Sequence, residues 1–238
     1  MKNIISQSLK IILSAAFMMA TSIIVQAQLA LPAPPIAKAP AVSTKGLATQ
    51  DSIRDGVEYR TLSAAQALET KGKIEVLEFF WYGCPHCHDF DPDLQAWVKR
   101  QGKDVVFKRV PVAFRDDFLP HSQIFYAFEE LGKGDAYTSK VMNAIHVQRK
   151  QLLKESEISE WVATQQGVDA KAFMLAFKSF GVITKAKAAN QKGSAFRIDG
   201  VPTVVIQGKY MTSPSIAGTA AKAFETMDFL VAKARKEK

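Results

Sequence analysis

Nothing limits the fold of this chain more than the run Lys73–Trp81. It carries Ile74, Val76, Leu77, Phe79 and Phe80 almost without a polar break and ends just short of Cys84-Pro85-His86-Cys87. A strand that is apolar on both faces needs cover on both faces, as the central strand of an α/β protein has. The next stretch, Cys84–Arg100, changes to a helical period with Phe90, Leu94, Trp97 and Val98 on one side. A second apolar strand is expected at Asp104–Val112. Strand, helix and strand make a β-α-β unit, and both cysteines of the chain fall at its first turn.

Upstream, Val57–Thr61 reads as a strand and Ala64–Thr70 as helical. Residues 114–182 keep helical periodicity alone, in four apolar stripes: Ile124, Phe125 and Phe128; Val141, Met142 and Ile145; Ile158, Trp161 and Val162; Phe173, Ala176, Phe177 and Phe180. Ser156 and Asp169 are expected as N-caps, and Gly132, Gly134, Gly167 and Gly181 as stops. The phenylalanines read as core packing rather than as a cofactor site. A further helix is expected at Ile183–Phe196, then strands Thr203–Ile206 and Tyr210–Thr212 around a turn at Gln207-Gly208-Lys209, then a last helix Ser215–Lys236. This order resembles an α/β thioredoxin fold with a helical insertion: a first part at 54–113, the insertion at 114–182 and a second part at 183–238.

The N-terminus carries Lys2 and Lys10, an apolar run Ile11–Val25, and small residues around Val25-Gln26-Ala27. This pattern predicts a cleaved signal peptide at 1–27 and a protein secreted to the periplasm, because the run falls short of the about 20 residues that span a bilayer. A lipid anchor would need a cysteine at the cleavage point, and none is there. From Gln28 to about residue 53 the chain is rich in Ala and Pro, with Pro32, Pro34, Pro35 and Pro40, and reads as a flexible linker. A secreted protein usually spends cysteines on structural bridges, whereas this one has two, both in one four-residue motif. The pair therefore reads as chemical. The formal charge of +8 is scattered, with no basic block interleaved with stacking aromatics, so a nucleic-acid partner is not expected.

Cys84 is expected at a helix N-terminus, where unpaired N–H groups and the positive end of the dipole favour a thiolate. Protonated His86 would add to this. Cys87 lies one turn on and faces inward, so Cys84 should meet a substrate and Cys87 should resolve. A depressed Cys84 pKa makes the reduced form stable and the disulfide oxidising. The five residues Cys84–His88 also fit C-x-x-C-H, the attachment pattern of c-type haem, with His88 as one axial ligand and His121, His146 or a methionine as the other. Against haem stand the strand that leads straight into the motif and the strands that dominate the expected core. Zinc fits less well, since the ligands crowd one turn and no second pair completes a tetrahedron.

The stretch Val76-Leu77-Glu78-Phe79-Phe80-Trp81-Tyr82-Gly83-Cys84-Pro85-His86-Cys87, with Gly200-Val201-Pro202-Thr203 downstream, resembles the DsbA family of periplasmic dithiol oxidases over nearly all of the chain after residue 27. The dipeptide Pro85-His86 is the one that family carries. The resemblance implies a cis Pro202 against the cysteine pair, a Val201 backbone free to pair with an extended peptide, and a buried acid at Glu78 that tunes Cys87 and handles protons. The family often pairs that acid with a lysine on the next strand; here Lys108 and Arg109 are both candidates. Trp81 and Tyr82 could line a substrate groove or belong to the core. The resemblance further implies reduced secreted proteins as substrates, a DsbB-like quinone-linked membrane reoxidase, a redox-active Cys84–Cys87 disulfide with no bound cofactor, and a monomer. Isomerases of the DsbC kind share the fold but place a dimerisation domain ahead of it, for which residues 28–56 are too few.

Overall fold

The computed structural model describes residues Ile53–Lys238. The expected signal peptide and nearly all of the Ala/Pro-rich stretch lie outside the described residues. Ile53, at the end of that stretch, packs against the core.

Strand β2 (Ile74–Phe80) is buried at every position, as its unbroken apolar character requires. It pairs in parallel with β3 (Val105–Pro111), Ile74 opposite Val105 and Glu78 opposite Arg109. On its other side it runs antiparallel to β4 (Thr203–Ile206), with Glu78 opposite Val204. β5 (Tyr210–Thr212) and the two-residue β1 (Arg60–Thr61) complete a five-stranded sheet in the order β1-β5-β4-β2-β3. The β4–β5 turn has positive φ at both Gln207 (56°) and Gly208 (61°), the type I′ geometry that matches the twist of its strands.

Helix α1 (Pro85–Lys99) covers one face of the sheet. It buries Cys87, Phe90, Asp91, Leu94 and Trp97, and together with the last helix, α8 (Ala220–Lys236), it packs on Ile74, Val76, Val204 and Ile206. Leu77, Phe79 and Val205 point to the opposite face, against Ala189 and Phe196. Between β3 and β4 lie α2 (Leu119–Glu130), α3 (Gly134–His146), α4 (Glu155–Ala163), α5 (Ala170–Phe177) and α6 (Phe180–Ala195). The first four enclose a second core of Ile124, Phe125, Phe128, Val141, Met142, Ile158, Trp161, Phe173 and Phe177, which also takes in Phe80, Tyr82 and both cysteines. The dithiol thus sits where the helical core meets the C-terminal end of the central strand.

Several local expectations are corrected. Ala64–Thr70 forms no helix; its backbone is held instead by Gln66 N–H donating to the Gly208 carbonyl and Glu69 N–H to Glu75. Ser156 lies inside α4, whose N-cap is Lys154, whereas Asp169 caps α5 by accepting from Ala172 N–H at 3.0 Å. Gly134 opens α3 and Gly181 lies in the first turn of α6; only Gly132 and Gly167 adopt the positive φ (67° and 75°) of a helix stop. Phe180, counted in an apolar stripe, is 84% exposed, because α6 begins at that residue and its periodicity restarts there. The final helix is two: α7 (Pro214–Ala217) and α8, parted by Gly218 at φ 89°.

Candidate active site

Cys84 is the N-cap of α1 and Pro85 its first residue, a position where proline's fixed φ suits the helix and its missing N–H costs nothing. The turn is closed by Cys84 N–H donating to the Trp81 carbonyl at 3.0 Å, and by Cys87 and His88 N–H groups donating to the Cys84 carbonyl. Pro85 and His86 are exposed, Cys84 is 8% exposed and Cys87 is fully buried. Both cysteines are free thiols in this structure. Cys84 Sγ lies 3.4 Å from the Val201 carbonyl, across a gap of 117 residues in sequence, and the Val201–Pro202 peptide is cis.

The two thiols are driven apart in acidity. A hydrogen bond from Cys87 is the largest influence on Cys84; burial opposes it, the Cys87 and His86 backbone N–H groups and the His86 charge assist, and the Cys84 pKa falls to about 6. The helix N-terminus expected from the sequence acts here through those two backbone N–H groups, together with the Cys87 side chain. Burial pushes the Cys87 thiol well up, with the nearby Cys84 and Glu78 charges adding to the effect. One sulfur is thus a thiolate near neutral pH and the other a neutral thiol.

Beneath the pair lies a buried ion cluster. Glu78, with no exposed surface, accepts from Arg109 Nε at 2.8 Å. Arg109 also reaches Asp91 on α1 at 2.5 Å, and Asp91 in turn accepts from Gln95 and Ser139, both at 2.7 Å. Desolvation dominates at Glu78 and lifts its pKa to about 7 even though Arg109 pulls the other way. Burial works against the Arg109 charge, yet Glu78 and Asp91 carry it above its ordinary value. The open question of which basic residue faces Glu78 resolves to Arg109. Lys108 points to the opposite face, bonded to Glu69 at 2.9 Å and close to Glu75 at 3.5 Å.

Two residues here escaped the sequence reading. Asp91 sits on the apolar side of α1, one turn from both Cys87 and Leu94, and an acid at that spacing was the available signal. Glu75 is a second buried acid in β2, 1% exposed, and its place inside the apolar run was the signal available for it. The aromatic pair divides. Tyr82 is core at 1% exposure, while Trp81 is half-buried and stacks on Phe118 with ring centroids 4.2 Å apart. A cavity of about 320 Å³ opens beside the motif, lined by His86, Asp89, Phe90, Val201, Pro202, Pro214, Ser215 and Ala220. His88 and His146, the latter one of the candidates for a second haem ligand beside His121 and the methionines, lie ring to ring with centroids 5.0 Å apart.

A dithiol at a helix N-terminus, opposed by a proline loop on a five-stranded sheet, defines the thiol:disulfide oxidoreductases of thioredoxin-like fold. The comparisons with known proteins are narrower. A family model described as a DSBA-like thioredoxin domain matches residues 107–226. The thiol:disulfide interchange protein DsbA of Burkholderia cepacia is 46% identical over 184 residues, covering 77% of this chain and 86% of that protein. That of Bordetella parapertussis is 39% identical over 202 residues, covering 84% and 96%. The crystal structure of Pseudomonas aeruginosa DsbA superposes with a TM-score of 0.74 at 34% identity, covering 79% of this chain and 97% of that one. The chain belongs to the DsbA-like thioredoxin family.

Proposed function

We propose that the protein is a periplasmic dithiol oxidase that passes a Cys84–Cys87 disulfide to newly secreted proteins. The single observation that carries this reading is the split in acidity, with Cys84 at about 6 beside a Cys87 raised well above the ordinary thiol value. A low-pKa thiolate is a good leaving group, so the mixed disulfide breaks toward free Cys84 and the protein gives up its disulfide readily.

In the cycle, a substrate thiolate attacks Cys84 Sγ. The substrate–Cys84 bond forms, the Cys84–Cys87 bond breaks, and Cys87 leaves with the electron pair and takes a proton. Glu78, with a pKa of about 7 and close enough for its charge to act on Cys87, is the group suited to hold that proton. A second substrate thiolate then attacks the substrate sulfur of the mixed disulfide and releases Cys84 as thiolate. Two electrons have passed from substrate to protein, and a DsbB-like quinone-linked membrane reoxidase would remove them. His86 steadies the Cys84 charge and Pro85 starts the helix. The Val201 backbone beside Pro202 would pair with an extended substrate by main-chain hydrogen bonds, a mode indifferent to sequence. The reading includes a signal peptide at 1–27, no bound cofactor and a monomeric enzyme.

The test mixes oxidised protein with a reduced, unfolded substrate in the absence of other oxidants. Stoichiometric formation of substrate disulfide is expected, and it should be abolished in Cys84→Ser and in Cys87→Ser, neither of which can hold the disulfide. A wild-type protein that reduces substrate disulfides but forms none would overturn the assignment in favour of a reductase.

A further inference from the structure

We propose that His146, on the last turn of α3, is a positioning residue for Cys84, acting through the carbonyl of Tyr82. This rests on the oxidase reading and extends it to a residue 59 positions downstream of the motif. His146 Nε2 lies 2.8 Å from the Tyr82 carbonyl, so Nε2 carries the proton and donates. It is the one donor that reaches that carbonyl among the described residues. The Tyr82 ring is fixed independently, edge-on to Phe80 at 5.1 Å and wholly buried. What His146 controls is therefore the orientation of the Tyr82–Gly83 peptide, not the placement of the side chain.

That peptide needs control. Gly83 has no side chain to oppose rotation of the segment leading into Cys84. On one side the Trp81 indole lies over Gly83 so closely that a Cβ there would collide with it. On the other, His146 holds the carbonyl toward the helical core, while Cys84 Sγ faces the Val201 carbonyl. Without the donor, the negative end of the Tyr82 carbonyl is freed two residues from a thiolate and disfavours it. His88 backs this arrangement. Its ring rests against that of His146, and its Nδ1 contacts the Asp89 carboxylate at 3.1 Å. The histidine that completes the C-x-x-C-H pattern thereby acquires a use unrelated to haem, as the support of the positioning imidazole.

The experiment compares H146F, which keeps a ring against His88 but deletes the donor, with H146Q, which keeps a donor. A second deletion, H146L, guards against an effect of the phenyl ring. Two readouts are taken on the purified reduced protein: thiolate absorbance against pH and the equilibrium constant with glutathione. H146F and H146L are expected to raise the Cys84 pKa by about one unit and shift the glutathione equilibrium about tenfold toward retention of the disulfide. H146Q should stay within about twofold of wild type in that equilibrium. Unchanged values in both deletions, or a shift in H146Q as large as in H146F, overturn the proposal. A wild-type protein lacking any depressed, Cys84-dependent thiolate would sink the oxidase reading instead, and the comparison of variants would still decide the part played by His146.

Discussion

Substituting Glu78 by Gln should flatten the pH dependence of stability between about pH 4.5 and 7. The carboxyl has an ordinary value of 4.5 and rises to about 7 in the fold, chiefly through burial. In that window the folded protein holds a proton that the unfolded chain has lost, so stability falls as pH rises. The favourable contribution is complete below 4.5 and gone above about 7. A raise of that size corresponds to about 3 kcal/mol across the window, with a slope approaching about 1.4 kcal/mol per pH unit. Gln keeps the shape and an oxygen acceptor for Arg109 Nε but cannot ionise. Unfolding free energy of the reduced protein is measured by urea at half-unit steps from pH 4.5 to 8, for wild type and E78Q. The difference, E78Q minus wild type, should climb by about 3 kcal/mol with rising pH whatever its starting value. Parallel curves would refute the reasoning, since they would mean that Glu78 is ionised throughout and that Arg109 outweighs desolvation.

Other consequences follow from the same geometry. Arg109→Met leaves the buried Glu78 and Asp91 without their counter-charge and should cost about 3–5 kcal/mol in chemical denaturation at pH 7. Because the Cys84 pKa is lowered to about 6, its thiolate stabilises the reduced fold above that pH and ceases to as pH falls through it; the urea unfolding free energy of reduced wild type minus that of reduced Cys84→Ser should drop from pH 8 to pH 5. Gly83→Ala forces the Trp81 indole off its seat and should lower thermal stability while shifting tryptophan fluorescence. Phe180→Ser removes a side chain that is 84% exposed and should change stability by no more than about 0.5 kcal/mol.

The sequence by itself determined the central strand, the helix that follows it and the place of the dithiol between them, because an apolar run of period one giving way to period 3.6 admits few alternatives. The resemblance carried by its motifs also marked Glu78, and a carboxylate inside such a run must be either paired or protonated. The sequence could not say which of Lys108 and Arg109 meets that acid, as neighbouring residues on a strand point to opposite faces and only the register with β2 decides. Nor could it show that the Cys87 thiol adds to the helix N-terminus in acidifying Cys84, which depends on how the two sulfurs face each other. Asp91 remained unassigned, and His146 entered only as a candidate haem ligand, for the same reason. Each is an ordinary polar residue on a helix until packing brings it against Arg109 or the Tyr82 carbonyl. Local periodicity is a property of the chain, whereas the meeting of groups 18 or 64 residues apart exists only once the helices have closed over the end of the sheet.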